Sequence, residues 1–432
     1  MNIMEMPIIP IPQGLDTELF ALAPGALKFL PQVLEKAFPG KAAYLVADGN
    51  TWLAAGADAE KILLNAGKII AGKYVFPGEK RIHPEYSYCE MLAGIFPDDC
   101  VPVAIGSGVI NDLVKCASSL KNMRYCCVPT ACSVDGFTAA GSALVVNGTK
   151  KTVKCPPPLA LCADTDILAT APAEMFASGF ADLLTKIPAG ADWIIADAVG
   201  EEPIRQDVWE LIQGNISRWV SDKDDMLAVF DGLAATGYAM QMYQESRPAS
   251  GSEHLFSHVW EMEGLTKDGE EISHGFKVGV GLLASTLLME YILEHSFEEL
   301  VPLMKPGITP EEREAEIDEL LKAGCYGTQP KITAMGKFLY GEKLDERRKL
   351  IAEVWSGMQK KVREKLIPYP QMAEILKSAG CPTTPAEIGL SKEQFLHGIK
   401  SAQLIRHRYT IIDLLYELGL MDEAFKKLEV MC

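Results

Sequence analysis

Three of the chain's seven histidines fall in one short stretch, Ser252 to Gly275, which reads SEHLFSHVWEMEGLTKDGEEISHG. His254 and His258 are four apart, so a helix over Glu253 to Met262 would aim both imidazoles from one face, one turn apart. That spacing suits a metal site, or a ligand with its acid/base partner, and surface helices also carry such pairs by chance. His274 returns beyond a polar turn, Thr266 to Glu271, where Lys267, Asp268 and Gly269 break the helical pattern; a hairpin there could bring all three histidines together. Asp182, in PAEMFASGFADLLTK, sits among Phe180, Leu183 and Leu184, an apolar helical setting where an unpaired carboxylate is costly. It can be met by Lys186, four residues on, or by a cation. With His254 and His274 it makes an oxygen-plus-two-nitrogen set that suits zinc or another divalent ion with an open coordination position.

The elements that must position these residues alternate through the first third of the chain. Helical spacing over Pro24 to Phe38 gives way to a buried strand at Ala42 to Ala47. Thr51 can cap a helix running to about Ala66, and Tyr74 to Phe76 reads as a second strand. A helix near Tyr86 to Phe96 precedes the β-branched run Val101 to Ile105. Such alternation predicts a parallel sheet with crossover helices, whose ligands bind beyond the carboxyl ends of the strands. After Val101 to Ile105 comes GSGVIND, with Gly106, Ser107, Gly108, Ile110, Asn111 and Asp112 leading into a helix. This is either a backbone cradle for phosphate or a tight turn that binds nothing. The next strand, Tyr125 to Val128, ends in PTACSVDGFT, where Thr130, Ser133 and Asp135 could hold a nucleotide's phosphates and ribose. Asp48, closing the first of these strands, could accept from ribose hydroxyls or simply shape a turn beside Gly49. A hairpin with Asn147-Gly148 at its turn is expected over Ala143 to Lys154, and a last strand over Leu159 to Ala163.

From Ala171 onward the pattern turns helical. Pro172 is placed to open a helix, and Thr309 with Glu312, Thr384 with Glu387, and Ser391 with Gln394 have capping-box spacing. His397 and His407 read as surface or satisfied polar residues. The chain has 432 residues, 48% hydrophobic and 23% charged, enough for two domains with their own cores. A net charge of -17 argues against nucleic-acid and anionic-membrane partners. The eleven cysteines include no CxxC pair, which points away from a disulfide framework and a zinc ribbon and toward a reduced, cytoplasmic protein. No signal-peptide pattern opens the chain, and the run Val278 to Leu293, broken by Glu290, is short for a bilayer, so no membrane insertion is expected.

Taken in order, GSGVINDLVK, PTACSVDGFT, DTDILATAP, GFADLLTK with ADW, SGSEHLFSH and SHGFKVGVG resemble the glycerol-1-phosphate dehydrogenases, including their bacterial AraM-type members. These belong to the superfamily of iron-type alcohol dehydrogenases and dehydroquinate synthases. The resemblance covers roughly residues 40 to 285, and several motifs together are more specific than any one. It implies an α/β N-terminal domain with a parallel Rossmann-like sheet, residues 1–169, followed by an all-helical C-terminal domain, residues 170–432, with the active site in the interdomain cleft. It implies that Asp182, His254 and His274 bind one divalent metal, zinc first, with nickel and iron accepting the same set. It places Asp135, Asp182 and His258 at the substrate, His258 and Asp182 in catalysis, and Gly106 to Asp112 with Thr130 and Ser133 at NAD or NADP. Ala139 stands where the family usually has a serine at the cofactor, Ala181 replaces a glycine, and Lys186 stands where broader relatives often place a third histidine. The implied reaction interconverts dihydroxyacetone phosphate, a small phosphorylated three-carbon substrate, and sn-glycerol 1-phosphate, in a homodimer or higher homo-oligomer. Lys186, Arg247 and Lys277 are candidate phosphate donors. Glycerol dehydrogenase on the unphosphorylated polyol, and a dehydroquinate-synthase-like lyase, are the alternatives.

Overall fold

The computed structural model describes residues 5–78, 82–146, 149–324 and 326–432. Its first half builds a six-stranded sheet in the order β1-β8-β5-β4-β2-β3, every neighbouring pair parallel. The strands are β1 (Leu19–Ala23), β2 (Ala42–Asp48), β3 (Ile70–Phe76), β4 (Cys100–Gly106), β5 (Cys126–Pro129) and β8 (Ala160–Asp164). β4 and β8 are buried along their whole length, as their unbroken apolar runs require of strands covered on both faces. β1 was not expected from the sequence: LFALA has no alternation, and a short apolar run does not distinguish strand from buried helix. β6 (Ser142–Val146) and β7 (Thr149–Val153) form the expected antiparallel hairpin, while its Asn147-Gly148 turn lies outside the described residues.

Helices α1 (Leu30–Ala37), α2 (Ala57–Asn65), α3 (Tyr86–Ile95) and α4 (Gly108–Leu120) cross between strands. Leu30, Val33 and Leu34 from α1 and Leu63 from α2 pack on Leu45, Val103 and Val128 in one apolar core. Ahead of α2 the helical cap differs from expectation. Asp48, not Thr51, is the N-cap: its Oδ1 accepts from the Asn50 and Thr51 N–H groups at 2.8 and 2.9 Å, and Thr51 Oγ1 accepts from the Asp48 N–H.

Beyond β8 no strand occurs among the described residues. The helices that matter below are α5 (Ala173–Leu184), α6 (Lys186–Ala198), α7 (Met226–Tyr243), α8 (Ser252–Met262), α9 (His274–Leu293), α10 (Pro310–Leu320), α11 (Glu342–Lys365), α12 (Lys392–Ser401) and α13 (Ile411–Glu417). Thr309 and Ser391 cap α10 and α12 in full capping boxes. Glu387 instead accepts from the Thr383 and Thr384 backbone, opening only the 3-10 turn Ala386–Ile388. α9 is long and apolar enough by composition to cross a membrane, and 83% of its apolar window is buried inside the protein, the mark of a core helix.

The chain divides into two compact units, Met1–Leu183 with Ser217–Glu245, and Leu184–Ile216 with Ser246–Cys432. This differs from a single boundary after residue 169. Residues 170–183 and α7 cluster with the sheet, and the reason is tertiary. Thr138 Oγ1 donates to the Ala234 carbonyl at 2.7 Å, and Gln241 Nε2 donates to the Thr138 carbonyl at 2.6 Å, tying α7 to the loop after β5.

Candidate metal centre and dinucleotide cradle

Asp182, His254 and His274 each offer one ligand atom, and these three atoms lie within 4.8 Å of one another. Asp182 has no exposed surface and His254 only 6%. Asp182 lies on α5 among the buried Phe180, Ala181, Leu183 and Leu184, and its Oδ2 accepts the Asp135 N–H at 3.0 Å, which orients the carboxylate from the loop after β5. That loop is itself fixed to α5, since Ser178 Oγ donates to the Ser133 carbonyl.

The histidines come from α8 and from the first residue of α9. The connection between these helices turns on Asp268 and Gly269, both at positive φ (54° and 83°), with reciprocal Lys267 and Glu270 backbone hydrogen bonds of 2.9 Å. Two consecutive left-handed residues reverse the chain tightly, which explains why an Asp-Gly pair stands there. The His254 and His274 rings are 5.2 Å apart between centroids, those of His254 and His258 6.4 Å. His258 is partly exposed; its Nδ1 lies 3.8 Å from Glu261, whose other oxygen pairs with Lys277 at 2.6 Å.

Two carboxylates with no distinguishing mark in the sequence stand at the start of α8. Glu253 Oε1 lies 2.8 Å from His254 Nδ1, and Asp192 Oδ2 accepts the Ser252 N–H at 2.6 Å. Burial raises both above the ordinary carboxylate range, Asp192 to about 7 with the neighbouring Glu253 charge adding to the shift. Lys186 is fully buried, donates to Thr185 Oγ1 at 3.3 Å, and its charge favours the ionised Glu253. Arg247 is held by Glu202 at 3.0 Å and by the Tyr409 carbonyl. All three candidate phosphate donors therefore already have protein partners. An oxygen and two imidazole nitrogens, two of the three residues buried and His274 partly exposed, fit a divalent cation of the zinc type by donor chemistry.

At the carboxyl ends of the strands, Ser107 caps α4 without a side-chain bond of its own, and Gly106 closes β4 with its carbonyl accepting the Thr130 N–H at 3.1 Å. Ile110 is core. Asn111 is buried; its Oδ1 accepts from the Tyr125 hydroxyl at 2.9 Å, while its Nδ2 has no hydrogen-bond partner among the described residues. A glycine-rich helix start with a spare buried donor fits a dinucleotide. The two carboxylates expected there have framework partners. Asp112 accepts from Lys115 and the Ala143 N–H, and Asp48 caps its own helix. Lys115, also missed in the sequence, is 1% exposed and donates to the carbonyls of Gly136, Ala139 and Gly141, each at 3.0 Å. The only sequence signal for it was a lysine on the apolar face of α4.

The profile of the family "Iron-containing alcohol dehydrogenase" matches residues 21–172. A protein from Geobacillus thermodenitrificans named glycerol-1-phosphate dehydrogenase [NAD(P)+] is 29% identical over 90% of this chain and 93% of its own. One of the same name from Geobacillus stearothermophilus is 31% identical over 74% of this chain and 73% of its own. Among solved structures, a probable glycerol dehydrogenase from Sinorhizobium meliloti superposes with a TM-score of 0.57 over 94% of this chain and 97% of that one, at 14% identity, which speaks to the fold alone. The chain belongs to the glycerol-1-phosphate dehydrogenase family of the iron-containing alcohol dehydrogenase superfamily.

Proposed function

We propose that this protein catalyses the reversible, NAD(P)H-linked reduction of dihydroxyacetone phosphate to sn-glycerol 1-phosphate at the centre formed by Asp182, His254 and His274. The observation that carries the reading is the clustering of these three ligand types in a chain of this family. They would hold one divalent cation, zinc in our reading, which supplies a Lewis acid for the substrate carbonyl. The dinucleotide supplies the hydride. We assign its phosphates to the Gly106, Ser107 and Gly108 backbone at the start of α4, and its remaining polar contacts to Asn111 Nδ2, Thr130 and Ser133.

The rest is the work of the chain's own groups. The Asp135 N–H engages one Asp182 oxygen and would orient the carboxylate that is to hold the cation. Asp135 and His258 are assigned to the substrate. His258, partly exposed one turn along α8 from His254, would hand a proton to the alkoxide product and recover one from solvent. Phosphate recognition is assigned to the Lys277 side of the centre, where the ammonium is held in place by Glu261.

Substrate choice tests this reading. NADH oxidation should be at least tenfold faster with dihydroxyacetone phosphate than with dihydroxyacetone, and the product should be inert to an sn-glycerol-3-phosphate dehydrogenase. Preference for free dihydroxyacetone would assign the chain to polyol oxidation instead. Bound NADH with no turnover of either ketone would leave a lyase as the better account.

A further inference from the structure

We infer that Glu253 is the positioning residue of this centre: it holds His254 with its proton on Nδ1, so that Nε2 is the nitrogen presented to the cation. The inference rests on the reading of Asp182, His254 and His274 as ligands. Glu253 Oε1 accepts the Gly251 N–H at 2.6 Å and lies 2.8 Å from His254 Nδ1. An oxygen already serving as acceptor to one N–H serves the imidazole in the same way, which makes the ring nitrogen the donor. Neighbouring residues on a helix do not normally face each other. Here they meet because Glu253 lies in the first turn of α8 and folds back over the backbone that precedes it.

The rest of the local structure serves that fold-back. Asp192 takes the Ser252 N–H at 2.6 Å on one oxygen and the Ile411 N–H at 2.7 Å on the other, so a single carboxylate on α6 fixes the starts of α8 and α13. A Cβ on Gly251 would come within 2.5 Å of Asp192 Oδ2 and 2.8 Å of Glu253 Oε2; glycine is what lets both carboxylates close over the helix start. Neither Glu253 nor Asp192 has exposed surface, and a buried carboxylate is costly unless it meets compensating charge. A divalent cation at the proposed centre would add to the compensation that the buried Lys186 already gives Glu253. A carboxylate on the far nitrogen also makes the ligating one more basic, and losing such a partner typically weakens metal binding by about 10–100-fold.

The test uses the full chain. In the zinc-loaded protein with 15N-labelled histidine, long-range proton–nitrogen correlations should show His254, identified by its absence in His254→Asn, protonated on Nδ1. A proton on Nε2 would overturn the inference, and this readout requires no variant at position 253 to fold. Zinc affinity, measured by competition with a chromophoric chelator, should fall about 10–100-fold in Glu253→Gln and less in Glu253→Asp. An affinity within twofold of the parent, alongside a lowered apo-protein Tm, would make Glu253 a helix cap and nothing more. Failure of the parent itself to take up zinc, nickel or iron would be a different result, overturning the ligand assignment on which this inference stands.

Discussion

At the scale of single residues, the centre depends on atoms whose partners are distant in sequence. Asp182 receives the Asp135 N–H from 47 positions away, and in the proposed centre removing its charge would remove a ligand outright. Asp182→Asn should therefore lose more metal affinity than the about 10–100-fold that an outer partner commands, measurable by chelator competition. Lys115 is a second case. Its ammonium satisfies three buried carbonyls in the loop that follows Asp135. Lys115→Met should leave them without a donor, lower stability by about 3 kcal/mol in urea titration, and raise the dissociation constant for NADH. That Asp182, His254 and His274 come together was legible in part: an unpaired carboxylate in an apolar helix is costly, and the polar turn before His274 allows a hairpin that returns it toward His254. Glu253, Asp192 and Lys115 were not: each has its meaning in a hydrogen bond whose other end the sequence does not mark.

At the scale of elements, the helix carrying Asp182 and the loop after β5 are packed with no room between them. A Cβ on Gly179 would lie 2.2 Å from the Cys132 carbonyl oxygen, and backbone cannot yield as a side chain can. Gly179→Ala should push α5 away from that loop, cost about 1–3 kcal/mol of stability by overpacking, and lengthen the Asp135–Asp182 hydrogen bond. Weakened zinc binding with a preserved circular dichroism spectrum is the expected observation; unchanged zinc affinity would show that the loop does not orient the carboxylate. The strands β2, β4, β5 and β8 were readable as apolar runs between turn residues, since strands buried on both faces leave that imprint. β1 escaped because five apolar residues without alternation carry no period. Asp48 was readable as a polar residue at a strand end, yet its carboxylate went to the nearest free N–H groups, those of its own helix.

At the scale of the whole chain, the sequence indicated an α/β half followed by a helical half, but not that the division is discontinuous. α7 lies in the helical stretch and clusters with the sheet through Thr138 and Gln241, contacts that hydrophobic periodicity does not encode. The helical unit also carries a pH-dependent element. Glu417 is raised from its ordinary 4.5 to about 7, chiefly by burial; Asp413 and Glu201 add to the rise, while Arg347 and the Tyr409 hydroxyl, 2.6 Å away, oppose it. The folded state thus holds this proton more tightly than the unfolded state. The associated stability is complete below about pH 4.5 and is lost as pH rises through 7. Glu417→Gln should flatten the decline in Tm between pH 5 and 8; an unchanged slope would mean that other groups govern it.

The most direct test of the central claim is NADH oxidation with dihydroxyacetone phosphate by protein stripped with a chelator and then reloaded with zinc, nickel or iron, with Asp182→Asn assayed alongside. Activity is expected to disappear on stripping, to return with at least one of these ions, and not to return in Asp182→Asn. Full activity in protein shown to hold no metal, or an Asp182→Asn enzyme as active as the parent, would contradict it.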